Sequence, residues 1–123
     1  MLIQLSGHAQ KANRIDSIQK VLKTQKNEIS KAKLLNLLSI EYKNKNEYKN
    51  VIKYSNEARL LLENYISTIK NDDEISEIKK VVSESYINLG DAYLNRGDYD
   101  IALSNYNKSL QIHELLNDKQ AAG

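Results

Sequence analysis

Between residues 74 and 95 the apolar positions Ile75, Ile78, Val81, Val82, Tyr86, Leu89, Ala92 and Tyr93 recur at spacings of three and four, the period of a helix with one buried face. The spacing predicts one long amphipathic helix. Asp73 stands where it can cap the start of that helix, because a carboxylate ahead of an apolar run accepts orphan backbone N–H groups, and Asp72 and Glu74 favour the positive end of the helix dipole. Gly97 is placed to end it, since glycine takes the left-handed conformation at little cost, and Asp98 is placed to cap the next helix. That helix is predicted to run to about Leu116 with Ile101, Ala102, Tyr106, Ser109, Leu110 and His113 on its buried stripe. Gly90, Ala102 and Ser109 are small enough for the two helices to pack closely as an antiparallel pair.

A weaker copy of this pair lies 51 residues upstream. The shift lays Tyr93 on Tyr42, Tyr99 on Tyr48, Leu89 on Leu38, Tyr86 on Leu35 and Ala102 on Val51. Ser39 then stands for Gly90, Asn46 for Gly97 and Ser55 for Tyr106. Serine keeps the small volume and asparagine tolerates the left-handed conformation; the lost aromatic at Ser55 is offset in part by Tyr54 next to it. Further upstream, Ile15, Ile18, Val21 and Leu22 predict one more helix within Asn13 to Lys26, a cap on the first pair.

The downstream pair resembles the tetratricopeptide repeat, whose pattern of a large aromatic, Leu-Gly, Tyr, and later Ala and an aromatic is filled by Tyr86, Leu89, Gly90, Tyr93, Ala102 and Tyr106. The resemblance implies an all-α fold of antiparallel helix-turn-helix units stacked as a short right-handed superhelix. The expected layout is a capping helix at about 10–27, a degenerate repeat at 28–70, a well-matched repeat at 74–116 and a polar tail at 117–123. The offset of 51 exceeds the usual repeat of about 34 residues, and the excess of 17 falls between Arg59 and Val82. Leu61, Leu62, Tyr65, Ile66 and Ile69 would prolong one helix and Ile75 and Ile78 would begin the next early, adding roughly 12 Å to each.

Such repeats bind partners on a concave face lined by the first helix of each unit. Mapped here, the resemblance implies a contact surface of exposed Lys33, Asn36, Ile40, Lys43, Asn44, Glu84, Ile87, Asn88, Asp91 and Asn95, with lysines near one end and carboxylates near the other. The expected partner is a protein or peptide. Chaperone-binding members clamp a terminal carboxylate with Lys and Asn on the first repeat; Asn36 and Ile40 stand in those places, a departure from that clamp. A looser resemblance, carried by Arg14 to Ile18, Lys31 to Ser39 and Ile112 to Lys119, is to the N-terminal repeat regions of bacterial sensor histidine kinases and related regulators, which implies a regulatory input module. The alternative is a free-standing adaptor or a self-associating protein, with Leu115 and Leu116 of the uncapped last helix as the homodimer contact.

Composition narrows the function. The chain has 123 residues, no Cys, no Pro, no Trp, no Phe and eight Tyr, which excludes disulfides and cysteine-based metal or redox sites. His8 and His113 have no ligand or dyad partner at a suitable spacing, and there is neither a Gly-rich phosphate loop nor a nucleophile motif, so no enzyme, cofactor or metal is expected. No apolar run is long enough to span a membrane, and no membrane contact is expected. Residues 1 to 60 carry a charge of +7 and residues 61 to 123 a charge of −5, an asymmetry that steers an acidic partner to the first half or favours head-to-tail stacking. Lys31, Lys33, Lys43, Lys45, Lys49 and Lys53 lie near Tyr42 and Tyr48, which makes nucleic acid a weak alternative ligand; its absence is the expectation because both tyrosines occupy structural positions. The first ten residues read as the start of the first helix, with the tail of a secretory signal as the competing reading. A cytoplasmic location is favoured, and a periplasmic one follows if that signal is real.

Overall fold

The computed structural model describes the backbone of residues 7–122 and the side chains of residues 14–118. Five α-helices follow one another: α1 (Gly7–Thr24), α2 (Glu28–Asn44), α3 (Tyr48–Tyr65), α4 (Asp72–Asn95) and α5 (Tyr99–Ala122), with a 3-10 turn at Ile66–Thr68 after α3. Among the described residues there is no strand. The fold is the expected all-α helical repeat of tetratricopeptide type, with α2–α3 and α4–α5 as its two hairpins.

The two hairpin turns are the same turn. At the end of α4, Gly97 N–H donates to Leu94 O (3.0 Å) and Asp98 N–H to Tyr93 O (2.9 Å). At the end of α2, Asn46 N–H donates to Lys43 O (2.9 Å) and Glu47 N–H to Tyr42 O (3.0 Å). Every donor and acceptor is displaced by 51 residues, and both turns have the nested bond pattern that closes a helix through one left-handed residue. Gly97 has φ 84° and Asn46 has φ 59°, so asparagine fills the glycine position as the sequence predicts.

Consecutive helices pack on each other, and α2 also touches α4. Ile29, Ala32 and Leu35 of α2, Ala58 and Leu62 of α3, and Ile78, Val81 and Val82 of α4 form the central cluster. Burying a side chain such as Leu62 or Ile78 contributes about 1.5–3 kcal/mol. Buried small residues stand at matched places in the two hairpins, Ala32 and Ala58 in the first and Ser83 and Ser109 in the second. The two serine hydroxyls lie 2.6 Å apart.

Ser39 and Ser55 account for the missing aromatic. Gly90 lies under the Tyr106 ring, where an added Cβ would sit 2.6 Å from Cε1. In the first hairpin both partners of that contact change together: Ser39 Oγ and Ser55 Oγ are 2.6 Å apart and fully buried, and Ser39 also donates to Val51 O. A glycine and a ring are replaced by two hydroxyls that satisfy each other. Tyr54 does not enter that space; its ring stacks on Tyr42 at 5.5 Å.

Several boundaries differ from expectation. The cap of α4 is Asn71, whose side chain accepts from Glu74 N (2.9 Å), and Asp73 lies inside the first turn. Asn27 caps α2 in the same way through Ser30 N. Helix α3 stops at Tyr65, and Ile69 is extended, so the excess residues lengthen α4 more than α3. Residues 117–122 are helical and no tail at all. Ile101, Leu110 and His113 are exposed, whereas Leu116 is buried. The reason is the position of α5 at the end of the stack, where only the face toward α4 is covered. Helix α1 packs on α2 with Ile15 buried and already includes residues 7–10; the competing readings of residues 1–6 and the environment of His8 lie outside the described residues.

Candidate partner-binding face

Helices α2 and α4 run side by side and leave a groove of about 410 Å³ between them, lined by Lys33, Leu37, Ile40, Lys80, Val81 and Glu84, with Asn36 and Glu77. The apolar side chains at this face are open to solvent: Leu37 is 50 % exposed, Ile40 38 % and Ile87 37 %. Two sets of polar contacts between α2 and α4 lie beside them.

The first contact is ionic. Lys33 Nζ lies 2.5 Å from Glu77 Oε1 at one end of the groove, and Lys43 Nζ lies 2.9 Å from Asp91 Oδ2 at the other. Lysines and carboxylates therefore do not sit at opposite ends, as the sequence suggests. They meet across the helices at both ends, so the basic first half is joined to the acidic second half. Both pairs are exposed or half-buried, and each is worth no more than about 1 kcal/mol.

The second contact is a buried amide chain. Asn36 Nδ2 donates to Val81 O (3.1 Å), and Ser85 Oγ donates to Asn36 Oδ1 (2.9 Å). Asn36 is 3 % exposed and Asn88 5 %, which corrects the expectation that both face solvent. Each replaces apolar packing at the α2–α4 crossing with polar contact. Asn88 Oδ1 is 3.5 Å from Lys43 Nζ, while its Nδ2 has no hydrogen-bond partner among the described residues. A spare buried donor costs about 1–3 kcal/mol.

Asp91 is also engaged. One of its oxygens takes Lys43 and the other accepts from Tyr106 OH at 2.5 Å, while its backbone O accepts from Asn95 Nδ2. Burial and then the Asp91 carboxylate push the Tyr106 phenol up to about 12. Of the remaining expected residues, Asn44 and Asn95 close α2 and α4 and are exposed, as is Glu84. The structure thus brings together Lys33, Ile40 and Glu84 beside the groove, puts Ile87 farther along α4 and withdraws Asn36 and Asn88. The sequence reading missed Leu37, Lys80 and Glu77. Leu37 stands four residues after Lys33 and three before Ile40, on the same helix face, and that spacing is enough to find it.

The tyrosines near the lysine cluster are used internally. Tyr42 stacks on Tyr54 with an interplanar angle of 6°, Lys53 Nζ lies 5.1 Å from the Tyr54 centroid, and Tyr48 OH donates to Asn46 Oδ1. Burial, and then the neighbouring Tyr54, raises the Tyr42 phenol above its ordinary value. Among the described residues no helix is long and apolar enough to cross a membrane.

No curated protein and no solved structure matches the chain. Residues 83–114 match the tetratricopeptide repeat family, and that match, together with the paired helices and their 51-residue register, supports reading the chain as a tetratricopeptide repeat protein; such repeats are generally protein-interaction modules.

Proposed function

We propose that the α2–α4 face holds a protein or peptide partner, with Leu37, Ile40 and Ile87 as the apolar contacts and Lys33, Lys43, Asn44, Glu84, Asp91 and Asn95 as the polar surround. Asn36 and Asn88 act behind them by setting the crossing of α2 and α4. The observation that carries this reading is the exposed pair Leu37 and Ile40 in a groove at whose edge Lys33 and Glu77 already pair with each other. An apolar segment can cover Leu37 and Ile40, and a charged segment can pair with Lys80 or Glu84 or exchange with Lys33–Glu77 at low cost. The looser resemblance to sensor-kinase repeat regions supports a role as the regulatory input module of a larger bacterial signalling protein.

Affinity capture from the source organism tests the face directly. The protein should retain a partner that the Leu37→Glu/Ile40→Glu variant loses, since both positions are open and the fold should survive. An unchanged set of captured proteins sinks the assignment.

A second reading is a self-associating adaptor. The stripe of Tyr99, Leu103 and Leu110 on α5 is exposed and favours it. Leu115 is exposed too, but Leu116 is buried and cannot be a direct dimer contact. Sedimentation of Leu103→Glu/Leu110→Glu beside the unaltered protein separates the readings: a mass that falls to one chain supports self-association, and equal masses oppose it.

A further inference from the structure

About half a turn round α4 from the α2 groove, a second and more apolar groove of about 410 Å³ opens between the end of α3, the start of α4 and the end of α5. Leu62 and Ile66 form one wall, Ile78 and Val82 the floor, and Ile112 and Leu115 the other wall. Four of these six, Leu62, Ile66, Ile78 and Val82, belong to the stretch between Arg59 and Val82 in which the chain exceeds the usual repeat length. All six lie outside residues 83–114 except Ile112. Residues beyond the matched repeat therefore supply most of this groove.

The charge beside this groove is uncompensated. Glu63 is satisfied by Arg59 (2.9 Å) and by Tyr86 OH (2.7 Å). Lys79 and Lys108 also line the groove; Lys108 Nζ lies 5.5 Å from the centroid of the Tyr86 ring, and neither lysine has a carboxylate partner among the described residues. The lining of α4 from Lys79 to Tyr86 and of α5 from Lys108 to Leu115 each spans about two helical turns, roughly 10 Å.

From the apolar floor, its length and the two lysines without a carboxylate partner we infer that this groove is a second docking site, which takes an amphipathic helix of a protein partner with carboxylates beside its apolar stripe. It is independent of the α2–α4 face and can be tested without it. The probes are two synthetic helical peptides with the same leucine stripe, one flanked by glutamates and the other by lysines, titrated onto isotope-labelled full-length protein. The glutamate peptide should shift the amides of Leu62, Ile78 and Ile112 and bind at least about tenfold tighter than the lysine peptide, the size of effect expected for two charge pairs at a half-buried rim. Lys79→Glu/Lys108→Glu should invert that order. Leu115→Glu, at a position 60 % exposed, should abolish glutamate-peptide binding while circular dichroism stays unchanged. Equal affinities, no shifts, or shifts centred on Leu37 and Ile40 overturn the inference. So do groove shifts that appear on raising the concentration of the protein alone, which would make a second copy the occupant, or binding to phosphatidylglycerol vesicles in place of the peptide.

Discussion

The exchange of Gly90 and Tyr106 for Ser39 and Ser55 is a packing solution written twice at one offset. A phenol at position 55 has no room while Ser39 keeps its hydroxyl there, so Ser55→Tyr alone should cost about 1–3 kcal/mol in urea denaturation. Adding Ser39→Gly recreates the downstream pair, and a double-mutant cycle should return a favourable coupling of about 1 kcal/mol; additive costs would mean that the two sites are not equivalent. Tyr106 carries a second consequence. Its proton is held more tightly in the folded chain, with a pKa of about 12 against the ordinary 10.0, so the stability it lends is intact below pH 10 and is lost as pH rises from 10 toward 12. Tyr106→Phe should flatten that part of an alkaline unfolding profile. An unchanged profile would remove Tyr106 from the account. Part of this was legible beforehand: Asn46 was readable as a left-handed residue because its chemistry allows φ above zero. The Ser39–Ser55 bond was not, because a missing aromatic says nothing about what fills its volume.

At the scale of the helices, apolar period pointed to α1, α4 and α5 and the 51-residue offset to α2 and α3, and the errors fall at their ends. The apolar run that begins at Ile75 pointed to Asp73 as the cap, but the period marks where burial begins rather than where backbone N–H groups need a partner. Asn71 with Glu74 three residues on has the spacing of a helix start, and Asn27 with Ser30 repeats it. Asn71→Ala should therefore lower the stability by about 1 kcal/mol, while Asp73→Ala should cost only a few tenths through the helix dipole. Equal losses in thermal melts would contradict the cap assignment. The unbroken α5 has a similar explanation. Asn117 to Gln120 is polar and reads as a tail, but nothing there or at Ala121 and Ala122 breaks a helix.

Across the whole molecule, the charge asymmetry changes meaning once the helices are packed. A basic first half and an acidic second half suggested steering or head-to-tail stacking, yet Lys33–Glu77 and Lys43–Asp91 join those halves inside one chain. Burial of Asn36 and Asn88 follows from the same crossing of α2 and α4, which no single-helix pattern contains. The face that remains open is narrower and more apolar than the ten residues named from sequence, with Leu37 and Ile40 at its centre and Ile87 farther along α4. A photo-crosslinking amino acid placed at position 40, and separately at position 60, where Leu60 is exposed on α3, tests that claim in cells of the source organism. The α2–α4 face as binding surface predicts a discrete crosslinked adduct from position 40 and none from position 60; an adduct from position 60 alone, or none from either, would contradict it.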